Sequence, residues 1–181
     1  RINHPDVPTI YPPLAQYVFR FSQQINVDSL LTLRIIFLAF DLMGTVFIIL
    51  ALRALNLNQN FSLVYFWSPL MIKETYNSTH LDIIGISCLC VSIYFLIRKR
   101  MVGSIFFLAL SVLGKFYSAV LLPFYFQRVW FLAQENRRSG TVTVTIHLIL
   151  FCTVITVFYL PFIDIGERVF DGLKTYSVYW Q

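Results

Sequence analysis

Apolar runs punctuated by short basic clusters set the pattern of this chain. Leu30 to Leu52 is one run, closed by Arg53; Leu81 to Ile97 is a second, closed by Arg98-Lys99-Arg100; Val142 to Phe162 is a third, opened by Arg137 and Arg138. A helix that crosses a bilayer needs roughly 20 apolar residues, so the pattern predicts three full spans at 30–52, 81–97 and 142–162. No alternating ten-residue strand pattern appears, and lipid tolerates no unpaired backbone groups, so the segments between the spans are expected to be helical too. Phe61 to Ile72 is too short to span and reads as a short, tilted helix that carries the chain back between the first two spans. Met101 to Phe126 reads as two short helices meeting near Lys115. Helices that stop inside a membrane need protein or a water-filled cavity over their ends, so the chain is expected to surround a cavity.

Basic clusters beside membrane helices favour the cytoplasmic side. That rule sends the first two spans inward and the third outward. It gathers Asp6, Asp28, Lys73, Glu74, His80, Asp82, Asp164, Glu167, Arg168, Asp171 and Lys174 on the outer side, where the chemistry is expected. Composition agrees with a lipid setting. Of 181 residues, 57% are hydrophobic and 13% charged, and the mean hydropathy is +0.70, too apolar for a soluble globule of this size. The net charge of +5 would suggest nucleic acid in a soluble protein; here the basic residues act as membrane anchors, and no nucleic-acid partner is expected. Cys88, Cys90 and Cys152 lie in apolar runs without metal-ligand spacing and read as small core residues. The chain reads as one transmembrane domain over 1–181, a fragment of a longer protein, all-α and polytopic.

Four segments carry candidate chemistry. In the first, Pro8, Pro12 and Pro13 stiffen the backbone, and Pro13 suits the first turn of a helix from Leu14 to Gln23. His4 and Asp6 are thereby held near the membrane, suited to a divalent cation, a phosphate-bound metal or a sugar hydroxyl, or else simply solvated. In the second, "SPLMIKETYNSTHLD", Lys73, Glu74, Asn77, His80 and Asp82 crowd between two apolar helices. Helix capping alone accounts for Asp82. In the third, "GKFYSAVLLP", Lys115 lies deep in an apolar stretch, where a cation costs a few kcal/mol, about 2.5 to 3.5 at a helix centre. It should face a cavity, an acid or a phosphate, unless it snorkels to the interface. The fourth, "FDGLKTYSVYWQ", places Tyr176, Tyr179 and Trp180 where an interfacial aromatic belt forms or where rings stack on a sugar or prenyl chain. Arg34 and Asp41 share a helix face but stand two turns apart, roughly 10 Å, so each is expected to meet a partner on another element.

Taken in order, "HPDVPTIYPPLAQ", "SPLMIKETYNSTHLD", "GKFYSAVLLP" and "FDGLKTYSVYW" resemble the landmarks of the GT-C integral-membrane glycosyltransferases, in particular the polyprenol-phosphate-sugar-dependent, mannosyltransferase-like group. The resemblance implies an inverting transfer of a hexose such as mannose. The donor would be a polyprenyl or dolichyl phosphate sugar and the acceptor a glycan or lipid at the outer face. It places the protein in the bacterial inner membrane, or in the endoplasmic reticulum membrane of a eukaryote. A carboxylate of a first outer loop would serve as base, and that loop would precede Arg1. His4 and Asp6 then have an auxiliary catalytic role; Tyr11, Lys73, Glu74, His80, Asp82, Lys115, Tyr176 and Trp180 are the expected substrate-binding residues. A divalent metal ion is possible in the group, and no other cofactor is implied. Two rival readings remain at this stage: a secondary transporter or channel, because broken helices and intramembrane charges also mark substrate pathways, and a purely structural membrane subunit.

Overall fold

A computed structural model describes residues 9–179, with the backbone alone at Ile165, Glu167, Arg168, Val169, Phe170, Leu173, Tyr176 and Tyr179. Every regular element among the described residues is helical. Helix α1, Pro13–Ile25, opens with proline at its first position, where a missing amide costs nothing. Helix α2, Leu30–Ala54, starts at Ser29, whose side chain accepts from the Thr32 amide, and ends at Arg53 beside its C-terminus.

The return segment is more broken than its apolar pattern suggests. Where one short helix over Phe61 to Ile72 was expected, there is a 3-10 turn, Gln59–Phe61, then α3, Ser62–Phe66, then α4, Pro69–Ile72, and a π-helical turn, Lys73–Asn77. Pro69 is the physical reason for the middle break, since its ring and missing amide begin a new helix rather than continue the old one.

Helix α5, Asp82–Ile97, and helix α6, Met101–Gly114, form the buried heart of the molecule. The expected full span at 81–97 is corrected here. With 16 residues, α5 is about 24 Å long at 1.5 Å per residue, short of a hydrocarbon core of about 30 Å. Its ends are set by Asp82 and by the Arg98 to Arg100 run. Among the described residues, two helices are long and apolar enough to cross a membrane: α2, and α8, Gly140–Tyr159, together with the turns that continue it to Asp164. Between α6 and α8 the chain breaks at Lys115, makes a 3-10 stretch, Phe116–Leu121, and enters α7, Leu122–Glu135. A further 3-10 stretch, Leu160–Phe170, leads to α9, Asp171–Tyr179.

Contacts along the helices fix their directions. Ser87 of α5 donates to the Phe40 carbonyl of α2 at 2.6 Å and lies against Gly44, while Phe47 further along α2 meets Tyr94 and Phe95 of α5. Helices α2 and α5 therefore run the same way, and the segment between them returns the chain, as expected. Helix α6 comes back along α5: Ser92 and Ser104 exchange hydrogen bonds near the turn, at 2.7 and 2.9 Å, and Gly85 meets Gly114 at the far end. Helix α7 reverses again, bringing Glu135 to Lys99 at 3.3 Å. Helix α8 follows α6, with Val154 packed on Ala109 and Leu113. Small side chains permit these close approaches, as they do between membrane helices.

Helix α1 touches one end of four others. Ala15 and Val18 pack with Phe37, Leu81 and Ile84; Leu14 also reaches the Ala109 and Leu113 cluster; the Tyr17 hydroxyl donates to the Phe158 carbonyl at 3.3 Å. The outward sides of α2 and α8 stay apolar and exposed, as at Leu31, Ile35, Ile146 and Ile149. Such faces need lipid or protein cover.

Candidate functional site

One end of the molecule collects the break at Lys115, the start of α5, the π-helical turn and the end of α8. The break is built from small residues. A Cβ on Gly114 would come within 2.9 Å of the Gly85 amide nitrogen, so only glycine lets the end of α6 lie against the start of α5. Ser111 donates to the Gly85 carbonyl at 2.7 Å and shares a 2.6 Å hydrogen bond with Ser118, which folds the 3-10 stretch back onto α6. Lys115 leaves the helix in an extended conformation.

Its ammonium forms an ion pair with the Asp82 carboxylate, both side chains being little more than a third exposed. Of the partners the sequence allowed, an acid is the one observed. Asp82 also occupies the first turn of α5, where the helix dipole favours its charge. An ammonium has three donors, and an exposed one beside Asp82 leaves N–H groups for a second anion.

The neighbouring turn holds a second cluster. His80 Nε2 lies 3.2 Å from Glu74, and Lys73 lies 3.6 Å from the same carboxylate. The His80 amide donates to the Glu74 carbonyl at 2.8 Å, closing the loop on itself. Lys73 and His80, which lacked any structural explanation in sequence, thus share Glu74. Lys73 also lines an open groove of about 490 Å³ with Pro69, Ile72, Tyr76 and Asn77.

Arg34 and Asp41 do find partners on another element, as expected. Arg34 donates to the Asn77 carbonyl at 3.3 Å and approaches the Thr79 hydroxyl at 3.5 Å. Asp41, 4% exposed, accepts from the Tyr76 hydroxyl at 2.5 Å. Burial, followed by the hydrogen bond and charge of Asp41, pushes the Tyr76 phenol far above its ordinary value, so it remains a donor. Both contacts tie the π-helical turn to α2. Tyr76 and the buried serines were not singled out in sequence, because their partners lie on other helices.

Tyr11, just before α1, is partly buried and packs its ring against Phe19 and the core of α1, α2 and α5. His4, Asp6 and Trp180 lie outside the described residues, and Tyr176 is placed on α9 by its backbone alone. Among the described residues no three His, Cys, Asp or Glu side chains converge as metal ligands, and Glu74 with His80 is too small a donor set for a divalent ion.

At the opposite end, Lys99 meets Glu135, and Lys99 and Arg138 line one pocket. The two basic clusters therefore share an end, away from Asp82 and Lys115.

No curated protein and no solved structure gives a significant match to the chain. A family profile does match, over residues 5–134, described as the N-terminal domain of alpha-(1->6)-mannopyranosyltransferases. The match takes in α1 through α7 almost entirely and so includes the Lys115 break, the Asp82 pair and the Glu74 cluster. By that match the chain belongs to the MptA_B family of alpha-(1->6)-mannopyranosyltransferases, which makes it a mannosyl glycosyltransferase.

Proposed function

We propose that this mannosyltransferase is a polytopic membrane enzyme that takes mannose from a polyprenyl phosphate donor and transfers it, with inversion, to a glycan or lipid hydroxyl at the end bearing Asp82 and Lys115, on the outer face of the membrane. The observation that carries the reading is the Lys115 ammonium, held by Asp82 at a break between two short apolar helices and opposite the basic end of the molecule. In such a transfer the acceptor oxygen attacks the anomeric carbon while the bond to the prenyl phosphate breaks. Negative charge grows on the departing phosphate, and a fixed cation there lowers the barrier. Lys115 supplies that cation, while Asp82 keeps it compensated and oriented when no phosphate is bound. Lys73, Glu74 and His80 line the approach. His4 and Asp6 have the auxiliary role of orienting the acceptor hydroxyl, and a carboxylate of a preceding outer loop is the base. The exposed apolar faces of α2 and α8 fit a lipid setting, in which a prenyl chain reaches the site from the side.

The test is donor choice. Membrane vesicles carrying the protein are given radiolabelled mannose on a polyprenyl phosphate or on a nucleoside diphosphate, with chelator present in a parallel set. Transfer from the prenyl donor alone is expected, and the chelator set reads whether it needs a divalent ion. Direct use of the nucleoside diphosphate sugar overturns the proposal.

A further inference from the structure

At the basic end, helices α6, α7 and α8 enclose a pocket of about 270 Å³ that the transferase reading leaves unused. Two cations, Lys99 and Arg138, line it together with apolar residues that include Met101 and Val129. Lys99 is 60% exposed and keeps Glu135 at 3.3 Å. Thr143 and His147, on the face of α8 that lines the pocket, complete it. His147 is 7% exposed, and its Nδ1 lies 2.7 Å from the Thr143 carbonyl. A carbonyl only accepts, so Nδ1 carries the hydrogen, and in the neutral ring Nε2 is left as an acceptor. That Nε2 is buried and has no hydrogen-bond partner among the described residues. Buried acceptors are ordinarily satisfied, and a vacant one lining a pocket calls for a donor.

The lining asks for a ligand with three properties: an anion for Lys99 and Arg138, a hydroxyl to donate to His147, and an apolar portion for Met101 and Val129. We propose that this pocket binds a phosphate ester that carries a free hydroxyl, supplied by the phosphoglycerol headgroup of an anionic membrane lipid. Basic pockets between membrane helices on the cytoplasmic side suit such headgroups. The site is separate from the Asp82 and Lys115 end. It rests on the membrane reading of the chain but not on the identity of the sugar donor, and binding is measured without any transfer reaction.

The purified protein in neutral-detergent micelles is titrated with fluorescent phosphatidylglycerol, followed by anisotropy, against two comparison lipids: phosphatidylcholine, which has no net charge, and phosphatidylmethanol, which keeps the anion but lacks the hydroxyl. Phosphatidylglycerol should bind best, phosphatidylmethanol less well and phosphatidylcholine least. Lys99→Met and Arg138→Met should each weaken both anionic lipids about fivefold. His147→Phe keeps a ring of similar size and should abolish the preference for phosphatidylglycerol over phosphatidylmethanol while leaving the preference over phosphatidylcholine. The ranking of the three lipids by the unaltered protein stands as a test even if that variant fails to fold. Equal binding of all three lipids, or anionic binding unchanged in both Lys99→Met and Arg138→Met, overturns the proposal. Displacement of phosphatidylglycerol by millimolar inorganic phosphate would overturn the lipid source and leave a soluble phosphate as the ligand of the same site.

Discussion

In the proposed transfer, Lys115 and Asp82 are the two side chains on which the chemistry turns. Replacing Lys115 with methionine keeps its length and removes its charge. Transfer from a prenyl phosphate donor should fall by about 10², the usual effect of losing one stabilising donor in a transition state, with the protein still folded by thermal melting in detergent. Because the two groups act as one pair, the double variant K115M/D82N should be no slower than K115M alone; rate losses that multiply would mean the residues act independently. Tyr76 belongs to the architecture rather than to the reaction. Tyr76→Phe removes the donor from the buried carboxylate of Asp41 and should cost about 1.5 to 3 kcal/mol, read as a lowered melting temperature. An unchanged midpoint would mean water replaces the phenol.

Among the helices, the decisive contact is the one between the start of α5 and the end of α6. It exists because Gly85 and Gly114 bring two backbones together, and a side chain on Gly114 meets backbone that cannot swing aside. Gly114→Ala should therefore cost about 1 to 3 kcal/mol by overpacking and displace Lys115 from Asp82, lowering transfer as well. Gly44→Ala is a graded comparison, since its new methyl would meet the Ser87 hydroxyl at 3.1 Å rather than backbone at 2.9 Å. Melting temperatures ordered G114A below G44A below the unaltered protein are expected; the reverse order would remove the argument from close approach. The same contacts explain why α5 is short. It is packed on both α2 and α6, so burial among neighbours rather than length in lipid sustains it.

The molecule has two electrically different ends. One carries Asp82, Glu74, His80 and Lys115; the other carries Arg98 to Arg100, Arg137 and Arg138. If the second faces the cytoplasm, single cysteines placed at Lys99 and Arg138 should resist a membrane-impermeant maleimide in intact cells, whereas cysteines at His80 and Asp164 should react. The native Cys88, Cys90 and Cys152 are replaced beforehand. Equal labelling of all four positions would refute the orientation. Two long apolar helices with exposed faces, α2 and α8, flank a packed pair that is itself too short to span unaided.

By itself the sequence determined what depends on neighbouring residues: helices rather than strands, the apolar stretches of α2 and α8, the proline start of α1, and the break beside Lys115. It also carried the parallel run of α2 and α5, since basic residues after each imply it. These are local or one-dimensional signals, readable because hydrophobic runs and charges act over a turn or two of helix. What the tertiary structure alone decided is which charge meets which. Nothing near Lys115 in the chain names Asp82 as its partner, and nothing near Tyr76 names Asp41. Those pairings follow from the register in which α2, α5 and α6 dock, and the register is set by glycines and serines whose small size has no pattern strong enough to read along the chain. The same cause left the Lys99, Arg138 and His147 pocket out of sight: these polar groups are far apart along the chain and become neighbours only when α6, α7 and α8 close around it.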